Sequence, residues 1–168
     1  MNIFFTNSDP IIAANEHNNT HQVKMILEHC QMLSTAHHVL DGAAPDGAYK
    51  KTHTNHPSAV WVRESVQHYE WLWLCTKRLC ELYTARTGKI HATERVLDIL
   101  IDPPSQIQDD GFTKPPVAAP DDFKLMVVLG GVEVAYQQYL NHKYAEWLGR
   151  DRPMKVEWTL DTPSWVTI

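Results

Sequence analysis

Three features of the 168-residue chain predict a mainly α fold, a compact single-domain helical bundle of two long and several short helices. Two stretches, His21–Gly42 and Pro57–Thr87, keep apolar residues at helical spacing over many turns. Glycine and proline, the strongest breakers, fall between those stretches and not inside them. With 43% hydrophobic and 21% charged residues, the chain has the balance of an ordinary globular domain that buries one core. No repeat or composition shift divides it, so residues 1–168 read as a single globular helical domain.

In chain order, Met1–Thr6 (MNIFFT) has strand composition. Asp9-Pro10 reads as an N-cap followed by proline at the first helical position, opening a short helix to about His17. Asn18–Thr20 breaks it. The central helix follows, with Asn19 as N-cap, Gln22 three residues on and Gly42 as its stop. Val23, Ile26, Cys30, Leu33, His37 and Leu40 share one side; His21, Lys24, Glu28, Gln31, Thr35 and His38 form a stripe on another. Asp41–Asn55, with Gly42, Pro45 and Gly47, is a surface loop carrying Lys50, Lys51 and His53.

Asn55-His56-Pro57 opens the second long helix, which Gly88 closes. Trp61, Leu72 and Leu79 mark its inner side, with Ser65, His68, Tyr69, Thr76, Tyr83 and Arg86 on or beside it. Lys89–Leu100 reads as a shorter third helix. Residues 102–122 hold five prolines and no periodicity, a Pro-rich loop or lid. Leu125–Leu148 contains the last helix, expected from Val132, with Tyr136, Tyr139, Lys143 and Trp147 at helical spacing. The tail MKVEWTL alternates weakly and is expected to pair with Met1–Thr6 as a small β ribbon, with Trp165 as an anchor.

Composition narrows the function. No apolar run approaches the roughly 20 residues that span a bilayer, so no membrane role is expected. The N-terminus lacks the basic region and cleavage site of a signal peptide. Cys30, Cys75 and Cys80 lack CxxC spacing and fit buried thiols in a reducing cytoplasm. The net charge of −5 has the wrong sign for a protein that holds nucleic acid mainly through phosphates. There is no GxGxxG, phosphate-binding loop, HExxH or nucleophile elbow, and no His/Cys spacing matches a zinc pattern; neither cofactor nor metal is expected.

The central helix carries the sharpest chemical signal. Its polar stripe holds one lysine and one glutamate, too little charge for a solvated face, so those groups need partners or a water-filled pocket. Glu28, His21 and Lys24 are therefore the candidate reacting groups, with burial expected around Lys24, and Gln31 beside them. A polar seam between packed helices is the alternative. Asn55 and His56 meet at a helix N-terminus suited to an anion, although plain capping by Asn55 explains half of that motif. Arg63, Tyr69, Arg86, Lys89 and His91 complete the candidate binding set. Arg86 is an anion holder or an ordinary helix-end ion pair.

The runs HQVKMILEHCQMLSTAHHVLDG, THTNHPSAVW and YTARTGKIH resemble a family of small uncharacterised helical proteins of tailed phages and large DNA viruses, over most of the chain. A weaker resemblance, over roughly residues 15–95, is to the helical pyrimidine-dimer DNA glycosylases of the phage endonuclease V type. His21 and Glu28 match that family's helix with a histidine and, seven residues on, a catalytic glutamate; Asn55-His56-Pro57 matches a motif of its bacterial relatives. That family uses a freed N-terminal amine as nucleophile and is strongly basic. Here the second residue is the bulky Asn2, the chain opens with the extra residues MNIFF, and the net charge is negative. The resemblance implies a DNA-directed enzyme in the cytoplasm of an infected host cell. It would act on a pyrimidine base, by hypermodification such as amino acid or amine transfer to a thymine-derived base, or by glycosylase-like excision. The alternatives are an enzyme on a free nucleotide or other small anion, and a non-catalytic phage interaction protein. A contiguous basic strip of Lys50, Lys51, Lys77, Arg78 and Lys89 would favour DNA over a small ligand.

Overall fold

The computed structural model describes residues 1–168. It contains seven helices: α1 (Pro10–Asn15), α2 (Asn19–Leu40), α3 (Pro57–Val62), α4 (Val66–Thr87), α5 (Glu94–Ile99), α6 (Asp121–Lys124) and α7 (Met126–Leu148). No helix is long and apolar enough to cross a membrane. Local chemistry sets most boundaries. Asp9 caps α1, its carboxylate accepting from the Ile11 and Ile12 amides, with Pro10 at the first turn. Asn18, not Asn19, caps α2, accepting from the His21 amide at 2.8 Å. Gly88 ends α4 in the left-handed conformation (φ 68°), open to any L-residue only at a cost.

Helix α2 packs along α4, with α1 also against α4 and α3 against α2. Between them lies the core of Met25, Ile26, Cys30, Leu33, Leu72, Cys75, Leu79 and Cys80, all at most 1% exposed; the three cysteines are free thiols. Burying side chains of this size stabilises by about 1.5–3 kcal/mol each before entropy is charged. The N-terminal segment is part of this core. Ile3 and Phe5 are fully buried, and the Phe4 ring packs on His21 (centroids 4.6 Å apart), Tyr136 and Tyr139, joining α2 to α7.

Four expectations need correction. The β ribbon does not form. Residues 3–6 are buried on all sides and bonded two residues along (Phe5 amide to Ile3 carbonyl, 2.9 Å; Thr6 amide to Phe4 carbonyl, 3.0 Å), so they present no strand edge. The tail instead closes the start of α2, where the Asn19 amide donates to the Glu157 carbonyl at 2.7 Å and the Trp158 indole donates to the Glu16 carbonyl at 3.0 Å. The expected second helix is two, α3 and α4, with an extended Ser65 (φ −147°, ψ 148°) between them. The Pro-rich loop docks into that break: Val66 donates to the Gln108 carbonyl (2.8 Å), and the Thr113 amide donates to His68 Nε2 (2.9 Å). Residues 89–100 hold only the short α5, because Lys89–Thr93 forms a turn in which the Thr93 amide donates to His91 Nδ1 at 3.2 Å. Finally, α7 begins before Val132, but Gly131 (φ 82°, ψ −180°) interrupts it. The packed part starts at Val132, while Leu125, Val128 and Leu129 ahead of it stay largely exposed.

Candidate active site at Glu28

Glu28 lies in the middle of α2 with its side chain 12% exposed. Two cations flank its carboxylate: Lys24 Nζ one turn earlier at 3.3 Å, and the α-amine of Met1 at 3.7 Å. The amine is brought there by the burial of Ile3 and Phe5 and by a clamp on Asn2. Asn2 Nδ2 donates to the Ala118 carbonyl (2.8 Å), and Asn2 Oδ1 accepts from the Tyr136 hydroxyl (2.9 Å) and the Ile3 amide (2.8 Å). Tyr136 is itself fully buried and accepts from the Ala118 amide at 3.0 Å, so α7 and the Pro-rich loop jointly hold the first two residues.

His56 belongs to the same neighbourhood. Burial holds its imidazole below the ordinary histidine value, the Met1 ammonium and His53 add to that, and Glu28 opposes it. His56, not Asn55, caps α3, its Nδ1 accepting from the Ser58 amide at 3.2 Å. It lines a cleft of about 370 Å³ with Tyr139, Ala118 and Lys124. A carboxylate with an amine at one oxygen, a lysine at the other and a neutral imidazole nearby can exchange protons with a bound substrate.

The other expected residues distribute unevenly. Lys24 is 66% exposed, against the expected burial, because its side of α2 opens onto a solvent-filled cleft. His21 turns the other way. It is 2% exposed among Phe4, Tyr144 and Trp147 (centroids 4.6, 5.8 and 5.0 Å away), and burial, with nearby His17, Lys143 and Lys24, holds it well below its usual value and therefore neutral. Gln31 is half-buried on α2. Asn55 is exposed and lines a different cleft, with Trp61, Glu64 and Lys114. Arg63 ties down the loop before α3 by donating to the Thr54 (2.7 Å) and Ala59 (3.0 Å) carbonyls. Tyr69 is fully buried, donating to the Leu100 carbonyl at 2.8 Å with His37 Nε2 at 3.0 Å.

Arg86 and His91 gather instead near the start of α2. Arg86 reaches the Asn19 carbonyl (3.5 Å) and lies 5.6 Å from the Tyr83 ring centroid. His91 packs edge-on to the same ring (5.0 Å). Lys89 is exposed beside them in sequence. The expected basic strip is interrupted: Lys77 pairs with Glu94 (3.0 Å) and Asp98 (3.5 Å), and Arg78 pairs with Glu81 (2.9 Å). No group of three or more His, Cys, Asp or Glu side chains is arranged to hold a metal ion.

Sequence reasoning missed the packing of residues 1–5 against α2 and α7; its one signal was the apolar run IFF, which favours burial. Compared with known proteins, the chain matches no family model, no curated protein and no solved structure.

Proposed function

We propose that the protein is an enzyme acting on a pyrimidine base of viral DNA, with Glu28 as its acid/base and Lys24 as the cation beside it. The observation that carries this reading is the 3.3 Å approach of the Lys24 ammonium to a carboxylate only 12% exposed to solvent. In an excision reaction Glu28 would take a proton from a water whose oxygen bonds to C1′ of the nucleotide as the glycosidic C–N bond breaks. The electron pair leaves with the base, which is then protonated, and the products are the free base and an abasic sugar. In a base modification Glu28 would deprotonate the incoming nucleophile, with Lys24 beside it as counter-charge. The resemblance of His21, Glu28 and Asn55-His56-Pro57 to the pyrimidine-dimer glycosylases supports a base as the target.

A second reading, an enzyme on a free nucleotide, is favoured by the carboxylate partners of Lys77 and Arg78 and by the net charge of −5. One experiment separates these. Thymine-containing duplex DNA and free thymidine nucleotides are incubated with the protein, and released bases, nucleosides and protein are weighed by mass spectrometry. Free base with a matching abasic site in the DNA supports excision, a new nucleoside mass in DNA supports modification, and a change confined to free nucleotides supports the second reading. Unaltered DNA, nucleotides and protein would overturn the enzymatic proposal.

A further inference from the structure

At the start of α2, a cleft of about 490 Å³ opens between three parts of the chain that are distant in sequence. Lys24 comes from α2, Arg86 from the last turn of α4 and Lys155 from the C-terminal tail, with Asn19 and Thr20 between them. Three cations face one carboxylate, Glu157, in a chain whose overall charge is negative. Lys77, Arg78, Lys114, Lys124 and Arg150 each have a carboxylate within 3.0 Å, whereas Arg86 has none. Its guanidinium is steadied by the Asn19 carbonyl and the Tyr83 ring, which leaves further N–H donors available. Lys155 is held only loosely by Glu157, at 3.7 Å.

We infer that this cleft binds a phosphate group of the substrate. A guanidinium fixed by its own backbone contact matches two phosphate oxygens, and two lysines supply charge without demanding geometry. A volume of this size lies within the ordinary range for small-ligand sites. Lys24 belongs to both places: it lines the cleft and pairs with Glu28. Thr20 and Glu28 are eight residues apart on one helix, about 12 Å along its axis, the scale of a single nucleotide. The inference thus deepens the reading proposed above and rests on it for the reacting end of the substrate; the cleft itself makes the phosphate contact whether or not Glu28 is catalytic.

Binding, not turnover, tests it. Titration calorimetry with thymidine 5′-monophosphate and with thymidine should show the first binding and the second not. Arg86→Ala and Lys155→Ala should each weaken the monophosphate by roughly tenfold, the loss of one charge-assisted contact. Glu157→Gln, which removes the carboxylate that lines the cleft, should tighten it. Glu28→Gln should bind it at least as well, because Lys24 is released. A short oligonucleotide that displaces the monophosphate assigns the cleft to a DNA phosphate; one that does not assigns it to a free nucleotide. Equal binding of thymidine and its monophosphate, or monophosphate binding unchanged in a folded Arg86→Ala protein, would overturn the inference. Turnover without monophosphate binding would remove the cleft alone, and monophosphate binding without turnover would remove only the role of Glu28.

Discussion

Two ionisable side chains two turns apart on α2, His21 and Glu28, are handled in opposite ways. His21 is enclosed by aromatic rings, and its Nε2 has no hydrogen-bond partner, as is also true of His17 and His29 nearby. Glu28 keeps some contact with solvent and has two cations against it. The difference follows from charge. A neutral imidazole enters a core for the price of one unsatisfied nitrogen, whereas a carboxylate must be paired or wetted. A polar stripe on a helix is therefore two environments, and only the end with a charge to hold has the makings of a site.

The largest expected effect is on acid stability. The unfolded chain takes up a proton on histidine near pH 6.5, but folded His17 holds one only at about 4, because burial disfavours its charged form. His21 and His29 are lowered in the same direction by burial. Below pH 6.5 the unfolded state thus binds more protons, so stability falls as pH falls, by about 3 kcal/mol for His17 alone by pH 4. Half-buried Glu16, raised by desolvation, works in the opposite direction. Melting temperature measured from pH 7 to pH 4 should fall steadily; a flat profile would mean the imidazoles are not enclosed.

Tyr136→Phe comes next. It removes a buried hydroxyl that bonds Asn2 and the Pro116 carbonyl and accepts from the Ala118 amide, so it should cost about 1–3 kcal/mol by urea denaturation. His29→Leu sharpens the contrast from the other side. His29 Nδ1 bonds Thr76 at 2.9 Å and Nε2 bonds nothing, so the change should cost only about 1 kcal/mol at pH 7 while flattening the acid slope. Lys24→Met has the smallest expected effect on stability, within about 0.5 kcal/mol by thermal melting, since the side chain is mostly exposed. Activity should nonetheless be lost, and full turnover in that variant would remove Lys24 from the reacting set.

Much of this fold was legible. The caps at Asp9 and Gly88 and the unbroken periodicity of α2 are local signals, and they place α1, α2 and the end of α4 within a residue or two. What escaped depends on partners far along the chain. Nothing between Val62 and Val66 is a helix breaker; the break is held open by Gln108 and Thr113 of the Pro-rich loop. MNIFFT has strand composition because aromatic and branched residues suit strands and buried cores alike. Of the candidate site, Glu28 could be read from helix periodicity. The opposite fates of His21 and Lys24 could not, because the rings of Tyr144 and Trp147 on α7 decide which part of the stripe is covered.

The most direct measurement is turnover of Glu28→Gln set beside its melting curve. Glutamine keeps the shape and the hydrogen bonds but cannot accept the proton. If Glu28 is the acid/base of a partly solvated site, turnover falls by about 10²-fold or more while the melting temperature shifts little. If it serves only as counter-charge to the Met1 amine, the melting temperature drops sharply, as when one partner of a buried pair is removed, and turnover per folded molecule stays intact. That second result would contradict the assignment of Glu28 as the reacting group.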